Sequence, residues 1–173
     1  MEKILVSGSS GFIGNNLCKR LIQLKRHGRG TVRDLSKFTN TENFEYFSVE
    51  NIGPETNWQN ILSKVTCIIH CAGIANEIKG KDDIDSYHFV NFEGTKHFAK
   101  QAAKAGVKKF IFLSSAKVND ESVLKIFNNK TEKNLYKKKF NTCDSSNSLN
   151  FYAKSKFEAE KALWKISADT GLE

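Results

Sequence analysis

The chain has 173 residues, 39% of them hydrophobic and 27% charged, values typical of one folded domain rather than of a disordered or collagen-like chain. No run is apolar for long enough to cross a membrane, and the apolar segment after Met1 is too short for a secretory signal, so the expected location is the cytoplasm. The net charge of +8 is mostly lysine spread along the whole chain. Without a nucleic-acid-binding motif, this pattern indicates a solvated surface rather than nucleic-acid binding.

Strand-length apolar runs alternate with helical patterns from the N-terminus onward. The run at residues 3–7 predicts a first strand, and apolar residues at helical spacing predict a helix from residue 12 to about 25, with Gly28 at its C-terminus. The further expected elements are strands at 30–33, 45–49, 65–70 and 109–114, and helices at 58–63, 86–105 and 151–167. This alternation predicts an α/β fold, a Rossmann-like doubly wound parallel sheet with the first strand at its centre.

Between these elements, residues 119–150 lack periodicity and are rich in Lys and Asn, which predicts a long loop within a single domain of residues 1–173. The four cysteines show no CxxC spacing, so reduced, buried thiols are favoured over disulfides or zinc ligands. They are Cys18, Cys67, Cys71 and Cys143.

A glycine-rich turn follows the first strand, with Gly8, Gly11 and Gly14 in GxxGxxG spacing. Glycines let the backbone approach a pyrophosphate closely, and the N-terminus of the next helix can hold its negative charge. An ordinary turn is the alternative for such a motif in isolation. Its position between a strand and a helix at the start of the chain favours dinucleotide binding.

Later segments carry further candidates. Tyr152 and Lys156 lie four residues apart on one predicted helix face, where an ammonium stabilises a phenolate and suits acid–base chemistry, although lysine is common enough here for a chance pair. Ser115 follows the predicted strand at 109–114, at the sheet edge where ligands of α/β folds bind, or is simply a polar strand end. Asn91 lies near an apolar helix face, where a satisfied core amide is the alternative reading.

In order and spacing, these motifs resemble those of the extended short-chain dehydrogenase/reductase family, and more narrowly its NAD-dependent epimerase/dehydratase group acting on nucleotide sugars. The motifs that carry the resemblance are Gly8…Gly11…Gly14, His70-Cys71-Ala72-Gly73, Asn91…Gly94-Thr95, Ser114-Ser115 and Tyr152…Lys156. The segment from Phe110 to Asn119 is similar to bacterial members that epimerise or reduce 4-keto sugars in surface-polysaccharide synthesis.

The resemblance implies a role for each matching residue. Ser115 would bond the C4 oxygen of a UDP- or dTDP-sugar, Tyr152 would transfer its proton, and Lys156 would hold the nicotinamide ribose and promote proton loss from Tyr152. Hydride would pass between the sugar and the nicotinamide of the cofactor. The residues expected at the cofactor are Gly8, Ser10, Gly11, Phe12, Ile13, Arg33, Lys37, Asn51, Ile52, Cys71, Ala72, Gly73, Asn91, Tyr152 and Lys156.

The end of the second strand bears on the choice between NAD and NADP. NAD-binding members of such folds carry an acidic residue there, which bonds the ribose 2′-hydroxyl. This chain has Arg33 at that position, followed by Asp34, with Lys37 nearby. Because a cation suits a 2′-phosphate, the sequence slightly favours NADP over NAD.

Members of this group usually continue into a C-terminal part that builds most of the sugar-nucleotide site. The resemblance therefore presents this chain as the cofactor-binding N-terminal part of a longer enzyme, without measurable epimerase or reductase activity of its own. A dinucleotide-binding or regulatory module without turnover is the alternative. A nucleotide sugar is the expected partner, no metal or membrane is expected, and a homodimer stays open.

Overall fold

The computed structural model describes residues 2–75, 85–119 and 147–173. Within these ranges, five strands form one fully parallel sheet in the order β3-β2-β1-β4-β5. The strands are β1 (Ile4–Ser7), β2 (Gly28–Val32), β3 (Phe44–Ser48), β4 (Cys67–His70) and β5 (Lys109–Phe112). The α-helices are α1 (Phe12–Gln23), α2 (Gln59–Leu62), α3 (Thr95–Lys104) and α4 (Asn147–Thr170), with short 3₁₀ turns at Leu35–Lys37 and Ala116–Asn119. Most of the loop expected at 119–150 lies outside the described residues, as does Cys143.

Strand β1 is the central strand, as the sequence predicted. Its residues pair with β2 on one side and with β4 on the other, and Leu5 and Val6 are completely buried. All paired strands run in the same direction, so Ser7, His70 and Phe112 end their strands at one edge of the sheet. This edge is where an open α/β sheet binds ligands.

Each face of the sheet carries its own apolar cluster. On one face, Trp58 stacks on Phe98 with ring centroids 3.8 Å apart, in a cluster that includes residues of α2, α3 and α4. On the other face, Cys18 of α1 packs with Val6 and Phe44. Helices thus cover both faces, which confirms the predicted doubly wound Rossmann-like sheet.

Gly28 does not end the first helix, so that prediction was wrong. Helix α1 ends at Gln23, and Lys25 takes the positive φ of 51° in the turn that follows. Gly28 instead begins β2, two residues before the predicted start of this strand. A Cβ at Gly28 would overlap the ring of Phe44 on β3, so this glycine serves the close approach of two strands.

The helix expected at 86–105 has two forms along its length. Residues His88–Gly94 form a π-helical segment, which leads into α3 without a break. Gly94 packs against Ile52 and Gly53 there, and Asn91 is turned into the interior. Within the described residues, no helix has the length and apolarity needed to cross a membrane.

Candidate active site

The glycine turn after β1 is built for close contact between two loops. Gly8 has a φ of 71°, and a Cβ on it would lie 2.8 Å from the Cα and N atoms of Ala72, which follows β4. The Ser9 amide donates to the carbonyl of Thr31 at 2.9 Å, and its hydroxyl donates to the carbonyl of Val6 at the same distance. These bonds hold the turn while Ser10 and Gly11 stay exposed.

Helix α1 starts directly at this turn with its first amides uncapped by any side chain. Gly11 is the N-cap residue, and the first turn contains no acidic residue. Phe12 and Ile13 are exposed, with 89% and 50% of their surface accessible. Free N–H groups at a helix N-terminus attract anions, so this turn can accept a phosphate group.

The segment after β4 is held by Asn91. The Asn91 amide oxygen accepts from the Ile74 N–H at 2.8 Å, and its nitrogen donates to the Ile74 carbonyl at 2.9 Å and to the Ser155 hydroxyl at 3.1 Å. A Cβ on Gly73 would lie 2.9 Å from the Asn91 oxygen and 3.9 Å from the Lys156 nitrogen. Asn91 therefore positions the backbone beside Gly73 and joins it to α4.

A buried polar chain links the ends of β1 and β4. His70 bonds the Ser7 hydroxyl through Nδ1 at 2.5 Å and the Thr95 hydroxyl through Nε2 at 2.9 Å, and the amide of Ala72 donates to Ser7 at 3.4 Å. Burial lowers the pKa of His70 to about 3, and the charge of Lys156 acts in the same direction. His70 is therefore neutral at physiological pH and holds the two loop-bearing strands together.

Tyr152 and Lys156 occupy one face of α4, one turn apart. Lys156 is 5% exposed, and its ammonium lies 4.0 Å from the ring centroid of Phe112 on β5. Burial lowers the pKa of Lys156 to about 8, against the opposing influence of Glu160 and Cys71. The Tyr152 ring is half-buried and lies 6.0 Å from the ring of Tyr87.

The 3₁₀ turn after β5 packs onto α4 next to the face that carries Tyr152 and Lys156. Val118 forms an apolar cluster with Ala153 and Phe157, the residues that follow Tyr152 and Lys156. Ser115 opens this turn, and its hydroxyl accepts from the Lys117 N–H at 3.3 Å. The packing thus brings the predicted catalytic residues Ser115, Tyr152 and Lys156 to one region at the carboxyl edge of the sheet.

The loop after β2 presents cations to solvent. Arg33 and Lys37 are exposed, and Asp34 accepts hydrogen bonds from the amide and hydroxyl of Ser36, which lower the pKa of Asp34. Lys37 lies 3.9 Å from Asp34. Asp34 is therefore engaged within its own turn, and Arg33 is the charged group at the end of the strand.

A cavity of about 390 Å³ opens beyond β3. Asn51 contributes to its lining, together with Gly53 and the half-exposed ring of Phe89. The next residue, Ile52, packs against the main apolar core and is only partly accessible. Of these two residues expected at the cofactor, the structure thus places Asn51 at an open cavity and Ile52 in the wall behind it.

The sequence reading did not single out several residues that shape this region. They are Ser7, which bonds His70, Phe112, which contacts Lys156, and Phe89, which lines the cavity. A hydroxyl at the end of an apolar strand was the available signal for Ser7. For Phe112 and Phe89, no local pattern distinguishes such a ring from an ordinary core residue.

Comparison with known proteins places the chain in a family. Residues 5–170 match the 3-beta hydroxysteroid dehydrogenase/isomerase family. The chain belongs to that family. It is 35% identical over 175 residues to the UDP-glucose 4-epimerase of Vibrio cholerae. This alignment covers 99% of the present chain and 49% of the Vibrio protein. The chain thus covers about half the length of this curated relative.

Two solved structures show the same fold. One is the UDP-glucuronic acid 4-epimerase from Bacillus cereus in complex with UDP-glucuronic acid and NAD, with a TM-score of 0.72, 19% identity, and coverage of 98% of this chain and 54% of that one. The other is the yeast methylglyoxal/isovaleraldehyde reductase Gre2 complexed with NADPH, with a TM-score of 0.71, 20% identity, and coverage of 96% and 53%. Together with the family match, these likenesses confirm the predicted relationship to the extended short-chain dehydrogenase/reductase group.

Proposed function

We propose that this chain is the dinucleotide-binding part of an NAD(P)-dependent epimerase or reductase that acts on a nucleotide sugar. The observation that carries the proposal is the convergence of two loops and one helix face at one sheet edge. The glycine turn, the Ala72–Gly73 segment and the Tyr152–Lys156 face lie together there: a Cβ on Gly8 would overlap Ala72, and a Cβ on Gly73 would lie 3.9 Å from the Lys156 nitrogen. The relative from Vibrio cholerae supports the nucleotide-sugar class.

The residues present fit a dinucleotide. The uncapped amides at the start of α1 can bind a pyrophosphate, and the Lys156 ammonium lies close to the Gly73 backbone. Ser10, Phe12, Ile13, Cys71, Ala72 and Asn91 belong to this proposed cofactor site as loop residues or as supports of the loops. When bound, a nicotinamide cofactor supplies or accepts the hydride.

The remaining chemistry falls to side chains of this chain. Tyr152 transfers the proton of the substrate hydroxyl or carbonyl oxygen, Ser115 bonds that oxygen, and Lys156 stabilises the negative phenolate while its N–H groups bond the ribose. Lys156 is suited to this role because it is buried and has no ion-pair partner within 4 Å among the described residues. Surface-polysaccharide synthesis in the cytoplasm is the proposed setting.

The test is a pair of measurements on the protein expressed from its complete reading frame. Dinucleotide affinity is determined by titration with NADPH and NAD, and turnover is assayed with UDP- and dTDP-sugars. We expect Tyr152→Phe to lower kcat by about 100- to 10,000-fold because the acid–base group is lost, with dinucleotide affinity nearly unchanged.

Lysine variants on the same helix provide the matched control. Lys156→Ala should weaken both turnover and dinucleotide binding, whereas Lys154→Ala, which removes an exposed partner of Glu158, should change neither. Full turnover in the Tyr152→Phe variant would show that the Tyr–Lys pair is a chance spacing. Dinucleotide binding without turnover of any tested sugar nucleotide would favour a regulatory binding module instead.

A further inference from the structure

The ring of Phe112 lies directly beside the Lys156 ammonium. The nitrogen is 4.0 Å from the ring centroid, well inside the distance at which a cation is attracted to an aromatic face. Phe112 is the last residue of β5, and Lys156 projects from α4, so two separate elements meet at this contact. Lys156 is almost fully buried, which strengthens such an interaction because water does not compete.

The Phe112 ring, rather than a charged or titratable group, is the close neighbour of the Lys156 ammonium. Glu160 on α4 and Cys71 after β4 act on Lys156 only through longer-range electrostatics, and no ion pair within 4 Å reaches this ammonium in the described part of the chain. His70 stacks near Phe112 at 5.9 Å, and it is uncharged at physiological pH. His70 on β4 therefore places no second positive charge beside the Phe112 ring.

We propose that Phe112 is a positioning residue that fixes the Lys156 ammonium through its ring face. A carboxylate would occupy the N–H donors of Lys156, whereas a ring face attracts the cation and leaves those donors directed to other acceptors. The ammonium so held lies beside Gly73, at the place proposed above for the ribose. The consequence for ribose binding rests on the proposed function, while the ring–ammonium contact does not.

Fluorinated phenylalanines at position 112 test this directly. Fluorine withdraws electron density from the ring face and changes the ring's shape little, so folding is preserved. In variants with one and then three ring fluorines, we expect the Lys156 pKa, followed through ¹⁵N-lysine NMR signals and assigned with Lys156→Arg, to fall stepwise. The NADPH dissociation constant should rise by about three- to tenfold in the trifluorinated variant.

Position 110 supplies the matched control. Phe110 lies on the same face of β5, its ring centroid is 5.7 Å from that of His70 and 5.4 Å from that of Phe98, and Lys156 stacks on Phe112 and not on Phe110. The same fluorinated residues at position 110 should leave both readouts unchanged. Among natural residues, Phe112→Tyr should keep the Lys156 pKa and NADPH affinity, and Phe112→Leu should lower both.

Two results would overturn the proposal: a Lys156 pKa that does not respond to fluorination at position 112, or an equal response at positions 110 and 112. The test also separates this proposal from the proposed function. If the protein binds no dinucleotide but the Lys156 pKa still follows fluorination at position 112, the ammonium contact stands and the cofactor assignment fails. If NADPH binds but the pKa does not respond, the positioning role fails alone.

Discussion

Single buried side chains hold the strands and loops of this site together, and His70 is the clearest case. Both of its ring nitrogens have hydroxyl partners, Ser7 and Thr95, and its ring contacts three phenylalanines. Protonation would place a charge in this apolar surrounding, which explains the pKa of about 3. The folded protein therefore requires neutral His70.

This requirement makes stability depend on pH. The pKa of His70 is about 3 in the folded state and 6.5 for an ordinary histidine, so between these values the unfolded chain binds a proton that the folded chain does not. The contribution of neutral His70 to the free energy of unfolding is complete above pH 6.5. It is lost as the pH falls below that value, with a limiting slope of about 1.4 kcal/mol per pH unit. Urea unfolding of the wild type and of His70→Asn from pH 7 to pH 5 measures this pH dependence of the free energy of unfolding. The stability gap between them should narrow on acidification, and parallel curves would contradict the assignment.

At the same scale, we expect Arg33 to set the preference between NADP and NAD. Because Asp34 is engaged by Ser36 and Lys37, Arg33 is the group expected to meet a 2′-phosphate, and NADPH should bind more tightly than NADH. Arg33→Ala should weaken NADPH binding by about tenfold and leave NADH binding nearly unchanged. Arg20→Ala, an exposed arginine in the last turn of α1, is the control for general charge. Tighter NADH binding that is insensitive to Arg33→Ala would reverse the preference.

At the scale of elements, one arginine joins β2, β3 and α2. Arg29 is nearly buried, and its Nη1 donates to the carbonyls of Asn60, Ile61 and Ser63 at 2.7–3.1 Å. Its Nε bonds Glu45 on β3 at 3.1 Å. Helix α2 spans only four residues, so these bonds supply the C-terminal partners that the short helix cannot provide for itself.

Removing this guanidinium should be costly. We expect Arg29→Met, which keeps an unbranched apolar chain but removes the guanidinium that lies over the Phe47 ring, to lower the free energy of unfolding by about 2–4 kcal/mol, because three carbonyls lose their donor. Arg26→Met removes an exposed ion pair with Glu2 and should change the free energy of unfolding by less than about 0.5 kcal/mol. Chemical denaturation of both variants makes the comparison. Equal effects would show that Arg29 acts as a surface charge.

At the scale of the whole molecule, the outer side of β5 carries an apolar surface. Trp164 of α4 is 67% exposed and lines a groove of about 380 Å³ between β5 and α4, together with Phe110, Phe112 and Leu163. The backbone of Glu173 pairs with Lys108 and Phe110 beside this groove. Exposed apolar side chains at a sheet edge favour association of copies.

We therefore expect the 173-residue chain to self-associate in a concentration-dependent manner. Sedimentation velocity should show a rising average mass with concentration, and Trp164→Gln should shift the distribution toward the monomer because it removes the largest exposed ring of the groove. Leu24→Gln is the control, since Leu24 is an exposed apolar residue after α1. A wild-type chain that stays monomeric, or an equal effect of Leu24→Gln, would contradict this expectation.

The sequence by itself determined the fold class and the edge of the sheet that carries the candidate site. Apolar runs of strand length, the glycine turn and the alternation with helices are local patterns, and right-handed crossovers leave few ways to arrange them. These patterns predicted the central β1, the turn before α1 and the place of Ser115 at a strand end. The roles of Ser115, Tyr152 and Lys156 stay predictions.

The tertiary structure decided which distant residues touch. Gly28 was read as a helix end because a glycine has the same local appearance whether it supplies a positive φ or merely lacks a Cβ, and only the ring of Phe44 on the neighbouring strand distinguishes the two. The contacts of His70 with Ser7, and of Lys156 with Phe112, join residues more than forty positions apart. Strand order and helix packing set these pairs, and no local periodicity contains that information.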